Sequence, residues 1–386
     1  MAAGILITGN ELLEGFVRDA NTLIISQFLL SRRREPPRMS IMVPDRVEEI
    51  HRGLGILMDG DFEVIVVTGG MGPTEDDITV RAVAEFLGKR LERVEDFPTD
   101  LEKYRWRIEG FSMLPNPVGR APAMWGHHMD RLIVLLPGVP QEVRGFLLRT
   151  RLGRVILDHL PLTDTFYMLI KTGGLSEREV RDILSRYYDR IGIPDYMATP
   201  SGVILKLKGR ERDVKQRAEA VEKILGSYIW GYNDETLEEK VALLLKKRGL
   251  TVSTAESCTS GKIPDLLTSV SGSSAYYRGG IVAYSTDVKI HILGVPGDVV
   301  ERYTVYSHQV AAHMAASIRR IMGSHIGIST TGMAENPDGE PFAFVGIAAD
   351  EVRTYYREFA GERNLVRLSI AYYALFRLYQ LLTGRG

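Results

Sequence analysis

The sequence predicts an α/β protein with two parallel-sheet domains and a small α+β module between them. Three observations carry this. Apolar, β-branched runs alternate with helical segments across residues 1–160, and strands alternating with helices imply a parallel sheet covered on both faces. That alternation stops around Arg151–Leu162 and gives way to helices and a hairpin pattern over residues 161–232. It then resumes from Thr236 to the end of the chain. A length of 386 residues has room for two or three domains. The expected boundaries are 1–160, 161–232 and 233–386.

In the first domain, Gly4–Thr8 (GILIT) reads as a buried strand and Gly9-Asn10-Glu11 as the loop that leaves it. Asn21 can cap a helix whose apolar face is Leu23, Ile24, Phe28 and Leu29. Arg32-Arg33-Arg34 suits the end of that helix, where cations meet the negative pole of its dipole; as a nucleic-acid patch three arginines are weak. Met39–Val43 is a second strand, Arg46–Met58 a second helix, and Phe62–Thr68 (FEVIVVT) a central strand. The central strand runs into Gly69-Gly70-Met71-Gly72-Pro73-Thr74-Glu75-Asp76-Asp77 and then a helix through Ala82, Val83, Phe86 and Leu87.

A strand, a glycine-rich loop and a helix mark the place where an open α/β sheet binds ligands. The acids of this loop would repel a bare phosphate, but they suit a divalent cation lying between them and a pyrophosphate. Thr74 and Asp77 also have capping-box spacing, so Asp77 has two readings, cap and ligand. Asp76 is read as a ligand. Asn116-Pro117-x-Gly119-x-Ala121-Pro122 is a turn-rich loop, and Arg131–Leu136 is a buried strand ending in Pro137-Gly138-Val139-Pro140. Both loops can line the same pocket or simply connect elements.

The module starts with a strand at Thr165–Lys171 and a helix at Ser176–Tyr188. A hairpin at Tyr196–Lys208, a helix at Asp213–Leu225 and a closing strand at Tyr228–Gly231 follow. This order is KH-like or ferredoxin-like. It contains no G-x-x-G clamp, so RNA binding is not expected and a spacer or dimerisation role is. In the last domain Thr236–Arg248 is an amphipathic helix and Leu250–Ala255 a strand. Gln309–Met322 is a helix and His325–Thr330 a strand ending in Thr331-Gly332. Phe344–Ala349 and Arg353–Phe359 extend the sheet, and Leu365–Leu382 is the final helix.

Composition narrows the function classes. Hydrophobic residues make up 45% and charged residues 25%, with a net charge of −1, so the basic footprint of a nucleic-acid binder is missing. One cysteine, Cys258, excludes an intrachain disulfide and fits a reducing compartment. No apolar run approaches the ~18 residues a membrane span needs, and Met1–Thr8 is too short for a signal peptide. A cytoplasmic protein is expected, with no membrane and no nucleic-acid partner.

The stretch from Thr254 to Lys289 concentrates Ser, Thr, Tyr and Lys among glycines. Cys258 is the nucleophile by residue type, but no histidine pairs with it in any signature. The alternative is a serine activated by a desolvated lysine. Ser274, Tyr284 and Lys289 then offer a nucleophile, a proton relay and a base.

Several motifs here resemble the CinA family. In the last domain they are Thr254-Ala255-Glu256-Ser257-Cys258-Thr259, Ser269-Val270-x-Gly272-Ser273-Ser274 and Gly279-Gly280-x-Val282-Ala283-Tyr284-Ser285. In the first domain they are Gly9-Asn10-Glu11-Leu12-Leu13, Thr68-Gly69-Gly70-x-Gly72-Pro73-Thr74-x-Asp76-Asp77, Asn116 to Pro122 and Leu136 to Pro140. The resemblance implies a molybdopterin-binding-like α/β domain, a KH-like insert and a C-terminal nicotinamide-nucleotide amidohydrolase domain, assembled as a homodimer.

The same resemblance assigns residues. Ser274 becomes the nucleophile, with Tyr284 and Lys289 as its activators. Ser257, Thr259, Thr331, Gly332 and Arg363 would surround the substrate, with Arg367 as the runner-up for the basic position. Asn10, Glu11, Gly70, Gly72, Thr74 and Asn116 would line the N-terminal pocket, and Asp76 and Asp77 would hold Mg, Mn or Co there. The expected reaction is deamidation of nicotinamide mononucleotide, without a cofactor in the C-terminal domain. The rival readings are a metal-dependent ADP-ribose pyrophosphatase in the N-terminal domain, and a non-catalytic pterin or nucleotide binder. The family's glycines after Thr331-Gly332-Met333-Ala334 are replaced here by Glu335-Asn336-Pro337-Asp338-Gly339-Glu340-Pro341, which brings acids towards an anionic substrate. After Cys258-Thr259 the family tends to have two glycines; here the run is Ser260-Gly261-Lys262, and the added Lys262 near a helix N-terminus is a candidate anion contact.

Overall fold

Strand β1 (Ala3–Thr8) is buried at every position, as a strand covered on both faces must be. It belongs to a computed structural model that describes residues 2–385. The chain forms two units, the first ending at Thr165 and the second beginning at Phe166.

After β1 the first unit continues with α1 (Asn10–Leu13), α2 (Asn21–Ser31), β2 (Met39–Val43), α3 (Val47–Asp59), β3 (Val64–Thr68) and α4 (Thr79–Phe86). Strands β4 (Leu91–Arg93) and β5 (Trp106–Ile108) form a separate hairpin. Then come β6 (Ser112–Leu114), β7 (Ala123–His128), β8 (Arg131–Leu136), α5 (Pro140–Arg149) and α6 (Leu152–Asp158). The main sheet has the order β2-β1-β3-β8-β7-β6. Its first four strands are parallel and the last two antiparallel.

Side-chain alternation divides each central strand between two cores. Ile5 and Ile7, Val64 and Val66, and Leu132 and Val134 face α2, α5 and α6. Leu6, Ile65 and Val67, and Ile133 and Leu135 face α3 and α4. The expected Asn21 cap is corrected. Asp19 accepts the N–H groups of Asn21 and Thr22, while the Asn21 amide donates to Thr68 Oγ1 and Gly138 O. Leu23, expected on the apolar face, is exposed. Pro140, read as part of a rigid loop, instead opens α5, where its missing N–H costs nothing.

The second unit begins with β9 (Phe166–Thr172), α7 (Glu177–Ser185), α8 (Tyr188–Ile191), β10 (Asp195–Thr199), β11 (Gly202–Gly209), α9 (Glu211–Leu225) and β12 (Ile229–Tyr232). These strands make an antiparallel sheet in the order β10-β11-β9-β12, with the β-α-β-β-α-β connectivity of ferredoxin-like units plus the short α8. Next come α10 (Leu237–Arg248), β13 (Val252–Glu256), α11 (Lys262–Thr268), β14 (Tyr277–Val282), α12 (Thr286–His291), α13 (Gly297–Tyr303) and α14 (His308–Met322). Strands β15 (Ile326–Met333), β16 (Phe342–Ala348) and β17 (Val352–Glu358) precede the last helix, α15 (Arg363–Thr383).

The second sheet of this unit runs β14-β13-β15-β16-β17, parallel across the first three strands and antiparallel beyond. Helices α10, α11 and α15 pack on one face and α14 on the other. From Phe166 on, the segments expected as separate domains, 161–232 and 233–386, lie together in this unit, where they share packing. Phe376 of α15 fills the space beside Gly173 and Gly174. Trp230 is buried in the core of α10 and α15, and Arg357 pairs with Glu179 at 3.3 Å. Among the described residues no helix is long and apolar enough to cross a membrane.

Candidate active site

The three parallel strands β14, β13 and β15 end side by side. Ser257 follows β13, Ala283 and Tyr284 follow β14, and Thr330 and Thr331 lie near the end of β15. The chain leaves β13 through α11 on one face and reaches β15 through α14 on the other. Such a reversal is where open α/β sheets place their ligand sites.

Ser257 is 5% exposed. Its N–H donates to Thr330 O at 2.9 Å, and its carbonyl accepts from Ser260 Oγ at 3.0 Å. The turn into α11 needs the left-handed region at two positions, Ser260 (φ 46°) and Gly261 (φ 90°); glycine takes this conformation without strain. Glu256 is buried and accepts the N–H groups of Gly261 and Ile263, each at 3.2 Å. Burial raises its pKa above the usual carboxylate value despite those bonds.

Lys289 comes from α12, whose start is capped by Ser285 Oγ. It is only 2% exposed. Its Nζ donates to Ser257 Oγ at 3.1 Å, Ala283 O at 2.9 Å and Tyr284 O at 3.1 Å. All three acceptors are uncharged, so little offsets the cost of burying an ammonium, and burial lowers the lysine pKa. The pair is therefore a hydroxyl held against an amine that gives up its proton more readily than an ordinary lysine.

The expected Ser274–Lys289 pair is not formed within the chain, which corrects the sequence reading. Ser274 lies in an exposed turn (Ser273–Ala275) before β14, whereas Lys289 lies beyond the other end of that strand. Pairing of Tyr277 with Val252 and of Val282 with Glu256 fixes this direction. At a rise of ~3.3 Å per residue the strand separates the two ends by roughly 17 Å. Gly272, which precedes that turn, lies at the same distant end. The hydroxyl beside Lys289 is Ser257, which the sequence reading had assigned to substrate binding.

Cys258 is buried among Ala334, Ala343, Val366 and Ile370, and burial pushes its thiol pKa up to about 12. It packs and does not attack. Tyr284 is 63% exposed, and its hydroxyl accepts from Arg363 Nη2 at 3.3 Å. It stands at the rim rather than between Ser257 and Lys289. Arg363, the first residue of α15, also faces Glu335 at 3.6 Å. Arg367 donates to the carbonyls of Cys258 and Thr259 and so braces the turn. Thr259 is tied to Thr330 at 2.7 Å, Thr331 donates to Val305 O at 2.7 Å, and Gly332 pairs with Ala343 in the sheet. Thr259, Thr331 and Gly332 therefore support the site from within the fold. Glu256 and Thr330 were not singled out in the sequence. Their signal was position, one residue before and one strand beside a serine that directly follows a buried strand.

The first unit carries a cavity of ≈ 660 Å³ at the ends of β1, β3 and β8. Glu11, Gly70, Gly72, Asp76 and Asp77 line it as expected, together with Asp45, Tyr104 and Glu142. Asn10, Thr74 and Asn116 hold its loops instead. The Asn10 N–H donates to Asp45, Thr74 donates to Asp77, and Asn116 Oδ1 accepts the N–H groups of Val118 and Gly119. Because α4 starts at Thr79 with Ile78 before it, the Thr74–Asp77 tie closes a turn and not a capping box. Asp76 is exposed, and a bond from Thr74 holds its pKa low.

Asp45 is the more inward acid. Burial first, then the Glu11 and Asp77 charges, raise its pKa, and its Oδ1 is buried without a hydrogen bond. Among the described residues no three His, Cys, Asp or Glu side chains gather around one ion position. The donors present fit a cation held by one or two carboxylates that takes its remaining oxygens from a ligand: Asp45 and Asp77 would hold it, and its charge would offset their repulsion of an anionic group.

The fold and its sites define a protein that joins a molybdopterin-binding-like α/β domain to an α/β domain with a buried serine–lysine pair at its strand ends. Known proteins agree. Residues 4–150 match the probable molybdopterin binding domain, and residues 234–382 match the CinA C-terminal domain. A CinA-like protein of Thermotoga maritima is 32% identical over 99% of this chain and 98% of its own. A CinA-like protein of Amoebophilus asiaticus is 31% identical over the whole of both. A crystal structure of a competence or damage-inducible protein from Enterobacter asburiae, 33% identical, covers 38% of this chain and 96% of its own with a TM-score of 0.37. The chain belongs to the CinA family.

Proposed function

We propose that the C-terminal site hydrolyses the carboxamide of nicotinamide mononucleotide, with Ser257 as nucleophile and Lys289 as general base. The observation that carries this is the 3.1 Å contact between Lys289 Nζ and Ser257 Oγ in a buried setting that lowers the lysine pKa. Neutral Lys289 takes the Ser257 proton as Oγ bonds to the amide carbon. N–H groups of the turn after Ser257 stabilise the resulting oxyanion. Lys289 then returns the proton to the departing nitrogen, releasing ammonia and leaving an ester on Ser257. Water, deprotonated by Lys289, attacks that ester; the carboxylate leaves and Ser257 regains its proton. Arg363 binds the substrate phosphate, and Tyr284 orients Arg363 from the rim.

The test is ammonia release from nicotinamide mononucleotide by the purified protein. Ser257→Ala should lose at least ~10³-fold in kcat, and Ser274→Ala should stay within about twofold, as expected of an exposed surface change. Loss of activity in Ser274→Ala with Ser257→Ala still active would reverse the assignment.

The cavity at the ends of β1, β3 and β8, with the Asp45 Oδ1 buried in it without a hydrogen bond, favours a second activity in the first unit: divalent-cation-dependent cleavage of a pyrophosphate such as ADP-ribose. When bound, the cation would neutralise charge developing on the phosphate oxygens. Asp45 and Asp77 would hold it.

A further inference from the structure

This inference rests on the amidohydrolase reading and concerns which substrates that site admits. Arg363 opens α15, and Glu362 before it makes no side-chain cap to the free N–H groups of the helix. An arginine fork beside uncapped helix N–H groups is where a substrate phosphate would bind. That place is already contacted from inside the chain. Glu335 Oε2 lies 3.6 Å from Arg363 Nη1, while Nη2 of the same fork reaches the Tyr284 hydroxyl.

The approach of Glu335 is built into the loop. On one side Ala334 is buried with Cys258 and Val366. On the other, Asn336 closes a turn: its Oδ1 accepts the Asp338 N–H at 3.2 Å, and its Nδ2 donates to Glu340 O at 3.1 Å. The backbone around Glu335 is held, yet its side chain is 73% exposed, so it can swing away.

We propose that Glu335 is an internal stand-in for the substrate phosphate and determines specificity: a phosphorylated nicotinamide nucleotide must displace it from Arg363, whereas the riboside, which has no phosphate, need not. The penalty has two parts, the lost ion pair and the repulsion between carboxylate and phosphate. Both fall on binding and neither on the Ser257–Lys289 chemistry.

The experiment compares wild type, Glu335→Gln and the charge-matched Asp338→Asn, which alters the same loop away from Arg363. Removing an exposed ion pair and a near like charge should lower the KM for nicotinamide mononucleotide roughly 3- to 10-fold in Glu335→Gln. The change should appear in KM and not in kcat, and the KM for nicotinamide riboside, a pyridinium cation without a phosphate, should not fall. Calorimetry with ribose 5-phosphate reads the same gain without turnover. If neither amide is hydrolysed, the amidohydrolase reading falls while the calorimetry still decides the role of Glu335. An unchanged ribose 5-phosphate affinity in Glu335→Gln, or an equal gain in Asp338→Asn, overturns the proposal.

Discussion

Replacing Lys289 with methionine removes the ammonium while keeping most of the side chain's length. The amine donates to Ser257 Oγ and to the carbonyls of Ala283 and Tyr284. Losing a positioned general base costs about 10²–10⁴-fold in rate. The same amine also returns the proton to ammonia, so kcat should fall by roughly 10³-fold or more. Stability should change much less. Two carbonyls lose a donor, at ~1–3 kcal/mol for each one that stays unpaired. Against this, the variant no longer buries an amine.

The pH dependence has a definite sign. Lys289 has a folded pKa below its ordinary 10.5, so the folded state binds fewer protons between those two values. Charging Lys289 therefore opposes folding below its folded pKa, and that opposition fades as pH rises towards 10.5. In Lys289→Met this contribution should vanish from the stability profile. The assay is ammonia release across the pH range, where the wild-type rate should climb with pH and level off below the ordinary lysine value. Lys289→Arg should be as inactive as Lys289→Met, because a guanidinium keeps its proton. A Lys289→Met protein with more than about a tenth of wild-type kcat would refute the general-base role, as would a pH-independent wild-type rate.

Three further outcomes follow from the structure. Cys258, buried with its thiol pKa pushed up to about 12, should resist alkylation in the native protein and react only on unfolding, as read by mass spectrometry; Cys258→Ala should keep kcat within about threefold. Phe376→Ala, which empties the space beside Gly173 and Gly174, should cost about 3–5 kcal/mol in urea unfolding. In the first unit, Asp45→Asn should weaken Mn²⁺ binding at least about tenfold and Asp76→Asn less than about threefold, since Asp45 is inward and Asp76 exposed; titration with the metal alone separates them.

The sequence determined much of the framework. Apolar runs such as Gly4–Thr8, Met39–Val43 and Arg131–Leu136 became strands at or within a residue of their expected bounds, because residue pattern is a local property of a strand. It also supplied the chemical groups: Lys289, Ser257, Arg363 and the acids around Gly70 are all visible as residues. What it could not supply was which hydroxyl meets the lysine. Ser257 and Ser274 both sit in motifs with glycines and small residues, and both precede Lys289. Only the parallel pairing of β13 with β14 decides between them. That pairing carries Ser257 and Tyr284 to one end of the sheet and leaves Ser274 at the other. Likewise Asp45 and Glu335 became notable through what they face, the Glu11 and Asp77 charges for one and Arg363 for the other. Local sequence fixes the period of an element and the chemistry of a side chain, whereas strand direction and register fix which ends meet, and those depend on residues far apart in the chain.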